Sequence, residues 1–255
     1  MRQVAIEITD EIAIVSLQNA KVNAISHQLT RELKESFLAL EQDTDVKGAI
    51  LTGETGVFSA GLDVLEQAAM DEAEAEAFWI DYFEALQAMI RYSKPFVCAI
   101  SGYAPAGGAI FTLCADYRIM ASEPKHIIGM HEFKLSMQIP ALMLDIWTYT
   151  LGEQKAFQSI QTAKLFSAQE ALQENIVQEI APADEVLERA KQHLQKALAV
   201  YAPVYIETKR LARKQLLALV DRDMKQLAKE FVAFGKDPEL KKRVQLFAEQ
   251  LKKNN

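Results

Sequence analysis

The chain has 255 residues, about one and a half average domains, half of them hydrophobic and a quarter charged. That composition excludes a disordered chain and suits one sizeable core. Acids outnumber bases 35 to 28, a formal charge of −7, which disfavours a generally basic nucleic-acid or membrane-surface binder.

The first half alternates strands and helices. VAIEI (4–8) and IAIVSL (12–17) predict two strands joined by a turn at Asp10 and Glu11. Ser26 is a good N-cap for a helix reaching about residue 41, with Leu29, Leu33, Phe37 and Leu40 on one face. GAILTG (48–53) predicts a strand and VFSAGLD (57–63) a loop. A long acidic helix follows over about 71–92, its apolar face carrying Phe78, Tyr82, Leu86 and Met89. PFVCAIS (95–101) is a continuous apolar strand, as expected where both faces of a sheet are covered. Residues 107–114 predict a helix and DYRIMAS (116–122) a strand. From about Pro140 nearly everything reads as helix, with IVQEIAP (176–182) the main exception. Closing helices are expected over about 184–200, 204–219, 222–234 and 237–253, with Pro203 and Pro238 near helix starts, where proline is tolerated. The layout is a βαβ core, 1–182, followed by a helical region, 183–255, that packs on the core or on a neighbouring subunit.

Residues 95–115 carry no charge and are long enough to span a bilayer. Gly102, Pro105, Gly107 and Gly108 interrupt them, so a buried strand, a tight turn and a buried helix are expected instead. Cys98 and Cys114 lie in apolar stretches without metal-ligand companions and read as reduced core residues. With early acids (Glu7, Asp10, Glu11) and no apolar signal core, a cytoplasmic location is expected.

Two loops carry candidate chemistry. FSAGLD (58–63) and GYAPAGGAI (102–110) both follow predicted strands, at the carboxyl ends where open α/β sheets bind ligands. Gly61, Gly107 and Gly108 allow backbone N–H groups close to a ligand, and a helix starting at Gly107 aims free N–H groups at an anion. Two such donors from different loops would form an oxyanion hole, although glycines at strand–helix turns are more often structural, and the signal taken alone is weak. A third feature is GMHEFKLSM (129–137), where Glu132 sits among apolar residues. Burial raises a carboxyl's pKa and makes it a usable base; a solvated loop acid is the bland alternative. His131 reads as a surface or packing residue. No Gly-x-Ser-x-Gly elbow, no P-loop and no metal-ligand spacing is present, so no metal is expected. Glu72, Glu74 and Glu76 read as a solvated helix face. Lys209, Arg210, Arg213 and Lys214 form a basic stripe at helical spacing, read as a subunit or ligand-phosphate surface and as the sole support for RNA binding.

KVNAIS (21–26), GVFSAGLDVLE (56–66), SKPFVCAISGYAPAGGAI (93–110), ADYRIMAS (115–122) and ALQENIVQEIAP (171–182), in this order, resemble the crotonase superfamily, also called the enoyl-CoA hydratase/isomerase family. The resemblance implies an α/β spiral of ββα units with a C-terminal helical trimerisation region, a homotrimer or hexamer, and an acyl-CoA thioester substrate that carries its own CoA, with no separate cofactor, no membrane and no nucleic acid. It implies that the N–H groups of Leu62 and Gly107 hold the thioester oxygen, each worth about 3 kcal/mol at the transition state. It also implies that Lys21, Val22 and Ala24, with Ala60, Gly61, Leu62, Asp63 and Val64, wall the adenine end of CoA, and that Gly108 belongs to the same binding region.

Hydratases of the family use two glutamates around one water. Here the first position is Ile110 and the counterpart of the second is Glu132. One carboxylate suffices to move a double bond, taking a proton from C2 of a 3-enoyl thioester and returning it at C4. APAGGAIFTLCADYRIM, the spacing to Glu132 and the ending FVAFGKDPELKKRVQLFAEQLKK resemble the mitochondrial-type delta-3, delta-2-enoyl-CoA isomerases. Pro140 occupies the position of the second acid of dienoyl-type isomerases, which argues against that subtype. Asp145 and His131 are close enough in sequence to supply a second acid–base group. The expected activity is therefore enoyl-CoA isomerisation, with hydration or another crotonase reaction as the alternative and a non-catalytic CoA- or RNA-binding role behind both.

Overall fold

A computed structural model describes residues 2–20 and 22–254. The chain opens with an antiparallel hairpin, β1 (Val4–Thr9) and β2 (Ile12–Leu17). Its two loop residues, Asp10 and Glu11, have φ of 51° and 64°, the signature of the turn that matches the twist of paired strands. Helix α1 (His27–Gln42) follows, capped by the Ser26 side chain accepting from the Leu29 N–H. Its face Leu29, Leu33, Phe37 and Leu40 is buried, as the spacing predicts.

The chain then repeats one course: a strand in a first sheet, a short strand in a second sheet, then helix. The first turn is β3 (Gly48–Thr52), β4 (Gly56–Val57), α2 (Val64–Ala69) and α3 (Glu72–Arg91). The second is β5 (Phe96–Ile100), β6 (Gly102–Pro105) and α4 (Gly107–Leu113). The third is β7 (Tyr117–Ala121), β8 (Ile127–Gly129), a 3-10 turn (Glu132–Leu135), α5 (Ala141–Leu151) and α6 (Glu153–Gln161). β9 (Phe166–Ser167) closes the second sheet, and α7 (Ala168–Gln173) leads to β10 (Glu179–Ala181). The large sheet runs β1-β2-β3-β5-β7-β10, parallel from β2 onward; the small one runs β4-β6-β8-β9. This is a spiral of ββα units, the architecture expected.

Every residue of β3 and β5 is buried. On one face α1 and α3 supply the main core, where Phe37 contacts the rings of Tyr92 and Phe96. On the other, α8 (Val186–Leu198) lays Val186, Ala190 and Leu194 over Ile50, Val97 and Ile119. Double coverage explains the unbroken apolar run of β5. The uncharged stretch 95–115 is thus β5, β6 and α4, and among the described residues no helix is long and apolar enough to cross a membrane.

The helical end continues as α9 (Ala202–Ala212), α10 (Lys214–Leu219), α11 (Met224–Phe234) and α12 (Pro238–Asn254). Two expectations need correction here. The helix expected over 204–219 is broken at Arg213, whose guanidinium turns back to the Asp116 carboxylate and the Cys114 carbonyl. The basic stripe is also not free: Lys209 and Arg213 both pair with Asp116, and Arg210 pairs with Glu207. Asp116 is a hub that also accepts from the Phe96 N–H and the Tyr205 hydroxyl, tying α9 to the large sheet. Elsewhere the helical end docks on the core through Trp79 and Phe231, whose ring centroids are 4.4 Å apart.

Candidate active site

The two glycine-bearing loops meet. The first is pinned by the 19–24 segment: Ser59 Oγ donates to the Asn23 carbonyl (2.7 Å), Asn23 Nδ2 to the Phe58 carbonyl (3.2 Å), and the Ala60 N–H to the Val22 carbonyl (2.9 Å). These bonds hold Val22 and Asn23 beside residues 58–60. Lys21 lies outside the described residues. Asp63 spends its carboxylate capping α2, accepting from the Leu65 and Glu66 N–H groups. Gly61 has φ of +86°, a conformation that favours glycine.

Around Leu62 the backbone pairs like a parallel bridge. The Ile25 N–H donates to the Gly61 carbonyl and the Asp63 N–H to the Ile25 carbonyl. This uses the groups on either side of Leu62 and turns its own N–H away from that pairing. The second loop ends at Ala106, which holds φ 51° and ψ −127°, an uncommon conformation for a residue with a Cβ. It is fixed by the Ala106 N–H donating 2.7 Å to the Gly129 carbonyl. Gly107 is the first residue of α4, where an N–H has no partner within the helix. Tyr82 pins this start, its hydroxyl donating to the Gly107 carbonyl at 3.4 Å. Gly108 is needed for packing: a Cβ there would fall 2.9 Å from the Ser59 carbonyl oxygen.

Glu132 begins the 3-10 turn after β8. Its Oε2 is buried without a partner. Burial pushes its carboxyl up to about 7, against the opposing pull of the backbone N–H groups of Glu132 and His131. It lines a cavity of about 390 Å³ together with Leu62 and Val64. Most of the remaining wall is apolar, including Met70, Trp79, Met143 and Phe231. The other two carboxylates there are engaged: Asp71 forms a capping box with Glu74, and Glu72 pairs with Lys236. Glu132 is therefore the carboxylate of this cavity that is free to exchange a proton.

The neighbours considered as second acids do not join it. Asp145 pairs with Arg222 at 2.7 Å. The His131 ring does not line the cavity, and burial lowers its pKa and keeps it neutral. Ile110 is fully buried in the core, and Pro140 lines the cavity as the residue before α5. The sequence reading missed the contribution of the far end of the chain. Phe231, Val232, Lys236 and Lys241 all line this cavity. The aromatic and aliphatic residues of α11 were the available signal, but nothing local says which element they cover.

Comparison with known proteins agrees with the geometry. The enoyl-CoA hydratase/isomerase family profile matches residues 7–255. Mitochondrial enoyl-CoA delta isomerase 1 of Mus musculus is 33% identical over 242 residues, 94% of this chain and 84% of that protein. A probable enoyl-CoA hydratase of Mycobacterium bovis is 29% identical over 189 residues, 74% of this chain and 72% of that protein. The crystal structure of human mitochondrial delta3-delta2-enoyl-CoA isomerase superposes with a TM-score of 0.93 at 31% identity, covering 99% of both chains. With the spiral fold, the paired loops and a match over nearly its whole length, the chain belongs to the enoyl-CoA hydratase/isomerase family.

Proposed function

We propose that this protein is an enoyl-CoA isomerase that shifts the double bond of a 3-enoyl-CoA to the 2-position. The observation that carries the reading is Glu132: one buried carboxylate with a free oxygen, a carboxyl titrating near 7, and no second free carboxylate in its cavity. The Leu62 and Gly107 N–H groups hold the thioester oxygen. Glu132 takes a proton from C2, and the charge spreads into a dienolate that the two donors stabilise. The same proton returns at C4, so the base is restored and no atom is gained or lost. Hydration needs a second group to manage the water, and the other carboxylates of the cavity, Asp71 and Glu72, are already engaged.

Val22, Ala24 and residues 60–64 form the wall for the adenine end of CoA, which enters as part of the substrate; no separate cofactor is involved. Exposed apolar side chains on the closing helices, with Tyr201 at 74% and Val204 at 55% exposure, support a homotrimer or a hexamer. The free, buried thiols of Cys98 and Cys114 fit a reducing compartment, which we take to be the cytoplasm.

The test is to incubate the protein separately with 3-enoyl-CoA and 2-enoyl-CoA and follow absorbance and mass. Conversion of the first to 2-enoyl-CoA without a mass change supports the isomerase. Addition of water to the second, without isomerisation of the first, overturns it in favour of a hydratase.

A further inference from the structure

A second cavity, of about 470 Å³, lies apart from the first, and no residue lines both. Its charged wall residues are Asp116, Arg118, Lys209 and Arg213, three cations and one carboxylate. The rest of the wall is apolar or uncharged and includes Tyr149, Thr150, Asn175 and Thr208.

The three cations are gathered at one point. Lys209 Nζ donates to Asp116 Oδ2 at 2.7 Å, and Arg213 Nη1 donates to Oδ1 of the same carboxylate. Arg213 Nη2 also donates to the Cys114 carbonyl (2.7 Å), and Arg118 Nη1 to the next carbonyl in the chain, Ala115 (3.0 Å). Arg118 Nε goes to the Ile176 carbonyl, so its hydrogen bonds end on backbone and its charge meets no carboxylate of its own. Each guanidinium has five N–H groups and spends two on these partners. Glu41, which also attracts Lys209, stays outside the wall and accepts from Ser93.

One carboxylate cannot balance three cations. Burial, and then the charge of Arg213, push Arg118 down to about 10. Burial lowers Lys209 to about 8 in spite of Asp116. A chain with a formal charge of −7 therefore concentrates a surplus of two positive charges in one cavity. Buried charge without a counter-charge is costly, and a bound anion relieves it. The surplus is within reach of a ligand, since the side chains of Lys209 and Arg213 keep 8% and 13% of their surface exposed.

We infer that this cavity binds a phosphate monoester of a small molecule, with Arg118, Lys209 and Arg213 holding the phosphoryl group. A phosphoryl dianion supplies the two missing negative charges and offers three oxygens to three cations. The volume is that of a small-molecule site, which leaves room for the organic part of the ester beside Thr150 and Thr208.

The experiment follows the Tm of the full chain in glycerol 1-phosphate, inorganic phosphate, succinate and chloride at one ionic strength. The expected result is a saturable rise of about 2–4 °C with glycerol 1-phosphate, and none with chloride. Arg118→Met should remove the rise. Thr208→Tyr should remove it too, because it fills the cavity and keeps all three cations. The ester should not displace a bound acyl-CoA; displacement would put the phosphate in the substrate's own cavity and overturn the inference. A rise with succinate but neither phosphate would overturn the phosphoryl assignment, and a rise with inorganic phosphate alone would overturn the ester. No saturable rise with either phosphate, or the same rise in Thr208→Tyr, would overturn the site itself. Wild type and Thr208→Tyr decide this even if Arg118→Met fails to fold.

Discussion

Gly107 lies against Leu62: a Cβ built on the glycine would sit 3.5 Å from Leu62 Cδ2 and 3.1 Å from the Tyr82 hydroxyl. This contact joins two loops that leave different strands of the small sheet, β4 and β6, which pair in parallel. The sheet is short, but it sets the spacing of the two loops that carry the proposed backbone donors. Glu132, on the turn after β8, the next strand of that sheet, lines the cavity that Leu62 also lines. The small sheet is therefore the frame of the site, and the large sheet with its covering helices is the support beneath it.

The raised carboxyl of Glu132 makes activity depend on pH. The base must be ionised, so kcat/KM should fall about tenfold per pH unit below about 7 and level off above it. A pH–rate profile with this single limb checks the assignment.

Stability carries the opposite sign. The folded carboxyl titrates at about 7 against 4.5 ordinarily, so the folded state holds the proton more tightly. That contribution is fully present below about 4.5 and is lost as pH rises through about 7. Its size is about 3 kcal/mol. Glu132→Gln removes the titration, so the Tm of the variant relative to wild type should be higher at about pH 8 than at about pH 5. Parallel melting curves at both values test this.

Gly108→Ala should act through the loop it touches. The new Cβ would meet the Ser59 carbonyl oxygen at 2.9 Å and Ser59 Cβ at 3.1 Å, so the 58–63 loop must move. The expected cost is about 1–3 kcal/mol of stability. A fall in kcat should accompany it, because the Leu62 N–H moves with the loop. Gly152→Ala is the control. Its φ of +78° strains an alanine, but nothing lies within 4 Å of the new Cβ, so stability should fall without a change in kcat.

Asp116→Ala should loosen the helical end. It leaves Lys209, whose side chain is only 8% exposed, and Arg213 without their carboxylate. Removing one partner of such a cluster costs about 3–5 kcal/mol. Denaturant unfolding and earlier proteolysis near α9 would show it.

The large sheet and long helices were legible because their periods are long enough to register. The i, i+3, i+4 face of α1 and the apolar run of β5 are examples. The small sheet was not legible. Its strands are Gly56–Val57, Gly102–Pro105, Ile127–Gly129 and Phe166–Ser167. They are too short for alternation to show, and several contain the glycine or proline that reads as a turn. Helix α2 was hidden in the same way, at six residues with no buried face. Glu132 stood out as an acid among apolar residues, but the sequence alone left it level with a solvated loop acid; the resemblance and the structure separate the two. The basic stripe misled because the partner of Lys209 and Arg213, Asp116, lies at the start of β7, far away in sequence.

The most direct measurement is the rate of 3-enoyl-CoA isomerisation by Glu132→Gln beside its affinity for a non-reacting acyl-CoA. With the base removed and the loops untouched, kcat should fall by about 10²–10⁴ while affinity stays within a few-fold of wild type. Isomerisation at the wild-type rate, with product of unchanged mass, would show that Glu132 is not the base.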